Sequence, residues 1–259
     1  MSKWKYTEIE SHLYEVTLDS WNQFPDFIGT EFLDYRNYVY RGHRKFSWKL
    51  ESTFSRDFRS SKLKSDIEKA AAKHLDKFKL STRGRRGSNP QILKDDNEWW
   101  ALGQHYGLST PLLDWSASPY VAAYFAFFGS EHDDEEFRSV VIVSKSIGMD
   151  NKKIVESHKG SGRPPIVEFV TPHLDENGRL VSQGGLFSRG PLDMDLESWV
   201  SKQTLDAANY QMVKVKIPNG DRHLVLRTLN RMNINHLSLF PDLEGASRYC
   251  NMELGIPKY

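Results

Sequence analysis

Tyr38-Val39-Tyr40-Arg41-Gly42 is a β-favouring run that delivers an arginine and a glycine to the end of a strand. It lies in a half of the chain otherwise rich in helical spacing. Downstream, Lys62 to Leu80 places Ile67, Ala70, Ala71, His74, Leu75 and Phe78 at intervals of three and four, which predicts a helix. Asp96 is positioned to cap a second helix carrying Trp99, Trp100, Leu102 and His105 and ending near Gly107. Ser116 or Ser118 can cap a third, with Pro119 in its first turn, running through Ala122, Ala123, Phe125 and Ala126 to Gly129. Upstream, residues 5–35 read as a strand and then a helix.

The second half is richer in strands. Ser139 to Ser144 and Pro165 to Val170 are expected strands, and Arg179 to Phe187 reads as strand, turn, strand. Met212-Val213-Lys214-Val215-Lys216-Ile217 alternates as a half-exposed strand should. Helices are expected over Leu196 to Ala208, from Asp221 through Met232, and over Asp242 to Met252. Lys152 to Arg163 is expected to be a mobile loop, and Glu131 to Glu136 an acidic turn. No regular β-α-β alternation appears. The pattern favours an α+β fold, with a mixed, mainly antiparallel sheet and helices packed around it, over a doubly wound sheet.

The bulk composition narrows the function classes. With 39% hydrophobic residues, the 259-residue chain has apolar surface enough for a core and is expected to form a single domain. Lys+Arg number 35 against 34 Asp+Glu, which is not the basic excess of a dedicated nucleic-acid binder. The lone Cys250 makes no internal disulfide, and no Cys/His cluster has metal-binding spacing, so no metal is expected. The start lacks an apolar signal segment, and the apolar run Tyr120 to Phe128 falls far short of the ~20 residues that span a bilayer. The expectation is a cytoplasmic protein with no membrane partner.

Five stretches carry candidate chemistry. Arg41 at a strand end offers a planar fork of donors that suits phosphate or carboxylate, or else a salt bridge to a buried acid. Gly42 beside it permits close approach of a ligand or of backbone. Gln104-His105-Tyr106-Gly107-Leu108-Ser109-Thr110-Pro111-Leu112-Leu113-Asp114-Trp115 gathers an amide, an imidazole, a phenol, two hydroxyls and a carboxylate into what reads as a helix end, a loop and a helix start. There, Asp114 as a helix cap, His105 in the core and Thr110 in a turn are equally open readings. Arg179-Leu180-Val181-Ser182-Gln183-Gly184-Gly185-Leu186-Phe187 suits either a ligand contact, through Gln183, or a tight hairpin. In Phe240-Pro241-Asp242-Leu243-Glu244-Gly245, Asp242 caps a helix and Glu244 favours its dipole. The basic loop at Arg83, Arg85 and Arg86 is either a phosphate contact or a solvated face.

In order and spacing these residues resemble the FRG domain family, which takes its name from a Phe-Arg-Gly element. Here the element is Tyr40-Arg41-Gly42, followed by Trp48-Lys49-Leu50, Arg56, Gln104-His105-Tyr106-Gly107-Leu108, Thr110, Leu112-Leu113-Asp114-Trp115 and Ala122 to Ala126. Arg179, Gln183-x-Gly185-x-Phe187 and Leu239-Phe240-Pro241-Asp242-Leu243-x-Gly245 continue the likeness, which covers about residues 15–252. A weaker resemblance to the ADP-ribosyltransferase layout implies that fold and NAD as a substrate. It implies that Arg41 grips the NAD phosphates, that Ser109 or Thr110 is the hydroxyl element, and that Gln183 stabilises the ribosyl cation, with Asp114 and Glu244 as further catalytic candidates. Gly42, Gln104, His105, Tyr106 and Phe187 would complete the nucleotide site. The likeness implies a bacterial or phage toxin or defence effector with a protein or nucleic-acid acceptor. A non-catalytic nucleotide- or partner-binding module is the competing expectation.

Overall fold

The computed structural model describes residues 3–62, 65–129, 135–149, 151–160, 162–172, 178–203 and 210–259. Its strands are β1 (Thr7–Glu10), β2 (Leu13–Thr17), β3 (Tyr38–His43), β4 (Leu112–Ser116), β5 (Phe137–Ser144), β6 (Glu168–Val170), β7 (Gly185–Arg189) and β8 (Met212–Pro218). They form one sheet in the order β1-β2-β8-β5-β3-β4-β7-β6. Only β2 and β8 run parallel, and every other pairing is antiparallel. The fold is α+β.

Helices cover both faces. They are α1 (Phe24–Glu31), α2 (Thr53–Ser60), α3 (Ile67–Ser81), α4 (Asp96–His105), α5 (Pro119–Phe127), α6 (Asn151–Ser157), α7 (Gly178–Ser182), α8 (Leu196–Ser201), α9 (Arg222–Arg231), α10 (His236–Leu239) and α11 (Leu243–Gly255). On one face α1, α5 and α9 pack against Tyr40, Val140, Ile142, Val213 and Val215. On the other, α8 brings Leu196, Trp199 and Val200 onto Val39, Val141, Val143 and Met212. Strand β5 is therefore buried on both sides, which its unbroken Val-Val-Ile-Val run requires. A third cluster sets α2, α3 and α4 against Leu112 and Phe187 at the β4–β7 end. No described helix is long and apolar enough to cross a membrane.

Several elements depart from the sequence expectations. Leu112–Ser116 is a strand, not a loop leading into a helix, because five residues of β4 find partners on β7. Asp114 accordingly caps nothing. The cap of α5 is Ser118, whose Oγ accepts from Val121 N. The helix expected from Lys62 starts at Ile67 behind the cap Asp66, and α2 precedes it. Asp95, not Asp96, caps α4. Gly178–Ser182 is a helical turn where a strand was expected, and Asn151–Ser157 is helical where a loop was expected. Lys214 on β8 is buried beside Glu197 at 3.7 Å, so β8 is not half-exposed. Asp221 adjoins α9 but spends its carboxylate on Trp21 N at 2.6 Å. Residues 131–134 of the acidic turn and 204–208 of the expected helix lie outside the described residues.

Candidate functional site

The site arises where the sheet comes apart. Strand β3 keeps six register pairs with β5 but meets β4 at one, Tyr40↔Ser116. Had the ladder continued, Gly42 would face Asp114. Instead the Arg41 side chain fills that place, and its Nη1 donates to the Asp114 carbonyl at 2.6 Å. The gap between the strands opens into a cleft of about 380 Å³. This is the low end of the roughly 300–1,000 Å³ usual for small-molecule sites. Because the sheet is split there, residues from both faces line it.

Arg41 is held on three sides. Its Nε donates to His43 Nε2 at 3.3 Å, and Nη1 lies 3.5 Å from Asp114 Oδ2. Both readings of this arginine are thus partly met: it holds an acid, yet that acid is exposed and the arginine lines the cleft. Burial lowers the Arg41 pKa, and the Asp114 carboxylate works to raise it. With 24% of its side chain still open to solvent, the guanidinium stays charged. Nη2 has no hydrogen-bond partner among the described residues, so the fork keeps donors to offer.

His43 sets the angle of that fork. It is 4% exposed, and burial pushes its pKa down to about 3, helped by the nearby Arg41 and Lys214 charges. As a neutral ring it accepts from Arg41 through Nε2, which places its proton on Nδ1. His236, whose Nδ1 meets Tyr124 Oη at 3.0 Å, is lowered to about 4, chiefly by burial. Both folded values lie below the ordinary 6.5, so between these pH limits the unfolded chain binds more protons than the native one. Their contribution to stability is complete above pH 6.5 and drains away as pH falls towards 4 and then 3. Urea denaturation at pH 7.0, 5.5 and 4.5 should show a falling unfolding free energy, with less of a fall in His43→Leu. An equal fall in that variant would remove His43 from the account.

The remaining walls come from distant segments. Gln104, at the end of α4, donates through Nε2 to Asp114 Oδ1 at 2.6 Å. Arg44 stacks its guanidinium 5.4 Å from the Trp48 ring and makes no ion pair among the described residues. Arg179 lies 5.2 Å over the Phe240 ring and is clamped by Asp242 Oδ2, at 2.8 Å from Nε and 2.5 Å from Nη2. His105 joins this wall, its pKa lowered by burial and then by Arg179. Gln183 also lines the cleft while its Nε2 donates to the Leu239 carbonyl at 3.1 Å. The outcome is a cleft with three arginines and several aromatic faces.

Of the expected site residues, Arg41, Gly42, Gln104, His105, Asp114, Gln183 and Phe187 line this one cleft. Four do not. Tyr106 is 70% exposed outside it. Ser109 bonds Asp57 in a groove between α2 and α3. Thr110 is fully buried and bonds the Gln104 side-chain oxygen, so it positions Gln104 from behind. Glu244 reaches Arg179 at 3.3 Å and Arg248 at 2.8 Å. The hydroxyl that does line the cleft belongs to Ser116, whose Oγ donates to the Gln183 carbonyl at 2.7 Å. Gly42 is needed chiefly for packing, because a Cβ there would lie 2.0 Å from the Ala122 carbonyl oxygen of α5. Arg44 and Ser116 were not among the expected site residues, and Trp48 and Arg179 stood in the quoted stretches without an assigned role.

Residues 36–135 match the family model of the FRG domain. The chain contains an FRG domain. The matched span holds β3, α2 to α5 and β4, hence both strands that part at the cleft. The FRG segment thus supplies Arg41, Arg44, Trp48, Gln104, Asp114 and Ser116, while Arg179, Gln183, Phe187 and Phe240 close the cleft from beyond it. No curated protein and no solved structure matches the chain.

Proposed function

We propose that the split between β3 and β4 is a nucleotide site and that NAD is its substrate. The observation that supports this most is the convergence of Arg41 and Arg44 on one opening walled by Trp48, Phe125 and Phe240. Guanidinium forks suit phosphate oxygens, and aromatic faces suit a flat base. In this reading Arg41 grips a phosphate, and Ser116 takes the hydroxyl position that the sequence had given to Ser109 or Thr110. Gln183 and Asp114 flank the ribose. Cleavage of the nicotinamide bond would then depend on positioning and on electrostatic support for an oxocarbenium-like ion. An ADP-ribosyltransferase-like role as a toxin or defence effector rests on the resemblance of the sequence. Titration with NAD, ADP-ribose and AMP, with nicotinamide release followed by chromatography, tests the reading. Binding of ADP-ribose with steady release of nicotinamide is expected. No binding of any of the three at millimolar concentration would end it.

A second reading, a nucleotide-binding module without turnover, is favoured by one observation. Asp114 is paired with Arg41 and Gln104, and Glu244 with Arg179 and Arg248, so each candidate carboxylate is already engaged. Here ADP-ribose and NAD bind alike, and NAD is recovered intact after long incubation.

A further inference from the structure

Charge is distributed unevenly in this nearly neutral chain. Between residues 56 and 94 stand twelve Lys and Arg against four Asp and Glu, a local balance of +8, which leaves −7 for the rest. The structure sets three of those twelve cations along one groove. Lys69, Lys73 and Lys77 lie four residues apart on α3 and line a cavity of about 600 Å³ between α3 and α2. Each step of four along a helix rises about 6 Å, so the three ammonium groups form a rail about 12 Å long. None of the three makes an ion pair among the described residues. Past the helix end Arg83 and Arg85 are exposed as well.

The floor of the groove is aromatic. Phe58 stacks on Phe54 with ring centroids 6.1 Å apart and planes 19° from parallel, and both rings line the cavity. Its one carboxylate, Asp57, is engaged by the Ser109 hydroxyl. His74, also in the lining, keeps a buried Nε2 with no hydrogen-bond partner among the described residues. A line of cations beside an aromatic floor is how proteins hold single-stranded nucleic acid without reading its sequence: phosphates take the cations and bases stack on the rings.

We propose that the α2–α3 groove binds single-stranded nucleic acid, with Lys69, Lys73 and Lys77 along the phosphates and Phe58 beneath a base. This site is separate from the cleft between β3 and β4 and does not depend on what binds there. The three lysines are exposed and belong to no core cluster, so their replacement leaves the core intact.

The test is fluorescence anisotropy on the full chain with labelled 12-nucleotide oligo-U RNA and oligo-dT DNA at several salt concentrations. A dependence of log affinity on log salt with slope near −2 is expected, because each neutralised single-strand phosphate contributes about −0.7. K69E/K73E/K77E should abolish binding and K69Q/K73Q/K77Q should flatten the slope. Phe58→Leu should weaken binding about 5- to 100-fold without changing the slope, as loss of base stacking does. RNA and DNA arms tell the two strands apart, and binding of either supports the site. Three results overturn it: no binding at low salt, undiminished binding by the glutamine variant, or polyglutamate binding as tightly as the oligonucleotides with no effect of Phe58→Leu. The last would assign the groove to an acidic protein segment.

Discussion

Arg41→Ala should raise the Kd for ADP-ribose by about 10- to 100-fold, the loss expected for a hydrogen bond to a charged group worth about 1.5–3 kcal/mol. The same change removes the donor to the Asp114 carbonyl and leaves His43 Nε2 without its partner, so the apo protein should also melt lower. Two further measurements separate these effects. Arg41→Lys keeps the charge but not the planar fork, and should recover only part of the affinity. Thr110→Val acts behind the cleft: it removes the donor to the Gln104 side-chain oxygen, leaves the bond from Gln104 to Asp114 and the guanidinium untouched, and should lower stability more than affinity. If Arg41→Ala binds as the wild type does while Thr110→Val does not, the arginine is a brace for the split strands and not a ligand contact.

Gly42→Ala should be among the most destabilising single-methyl additions in the chain. The new Cβ would stand 2.0 Å from the Ala122 carbonyl oxygen and 2.5 Å from the Ala126 nitrogen. Both are backbone atoms of a helix buried between the sheet and α9, so neither can rotate away. Overpacking typically costs about 1–3 kcal/mol, and backbone neighbours place this case at the top of that range or above. For a protein of this size about 3 kcal/mol corresponds to a fall in Tm of roughly 6–12 °C. Gly29→Ala on α1 is the matched control. A Cβ there meets nothing within 4 Å, and Ala in a helix interior is better than Gly by about 1 kcal/mol. Differential scanning calorimetry should find the two substitutions moving Tm in opposite directions. A Gly42→Ala protein that melts with the wild type would mean that β3 and α5 sit further apart than described.

The parts of this fold legible in the sequence were those decided locally. Tyr38–Gly42 is β-branched and aromatic, and it is a strand. Asp242 caps α11, Ser118 and Pro119 open α5, and the three-and-four spacing of Ile67 to Phe78 is α3. What misled was decided by partners far along the chain. Leu112–Ser116 is short and carries a carboxylate at its centre, and it is a strand only because β7, more than seventy residues later, supplies the ladder. Arg179–Ser182 has strand-like residues but turns as a helix that carries Arg179 to the cleft wall.

The site divides in the same way. Arg41, Gln104, His105, Asp114 and Gln183 stood out as polar residues beside apolar elements, and they share one cleft. Ser109 and Thr110 looked equivalent to them in sequence. Once Leu112 begins a strand, Thr110 turns inward and Ser109 turns towards α2. Ser116 was visible only as a cap, though its place at the last shared pair of β3 and β4 puts it at the mouth of the split. Arg44 carried no signal beyond a positive charge, and Trp48 none beyond its place in the family pattern. Their stacking is a property of the folded loop after β3.

In this reading the parted strands hold a phosphate-bearing ligand on Arg41. A crystal structure of the protein soaked with ADP-ribose tests it most directly. A phosphate oxygen should lie about 2.7–3.0 Å from the Arg41 guanidinium, with the base against an aromatic wall of the same cleft. Ligand density elsewhere, with Arg41 still engaged only by His43 and Asp114, would contradict it.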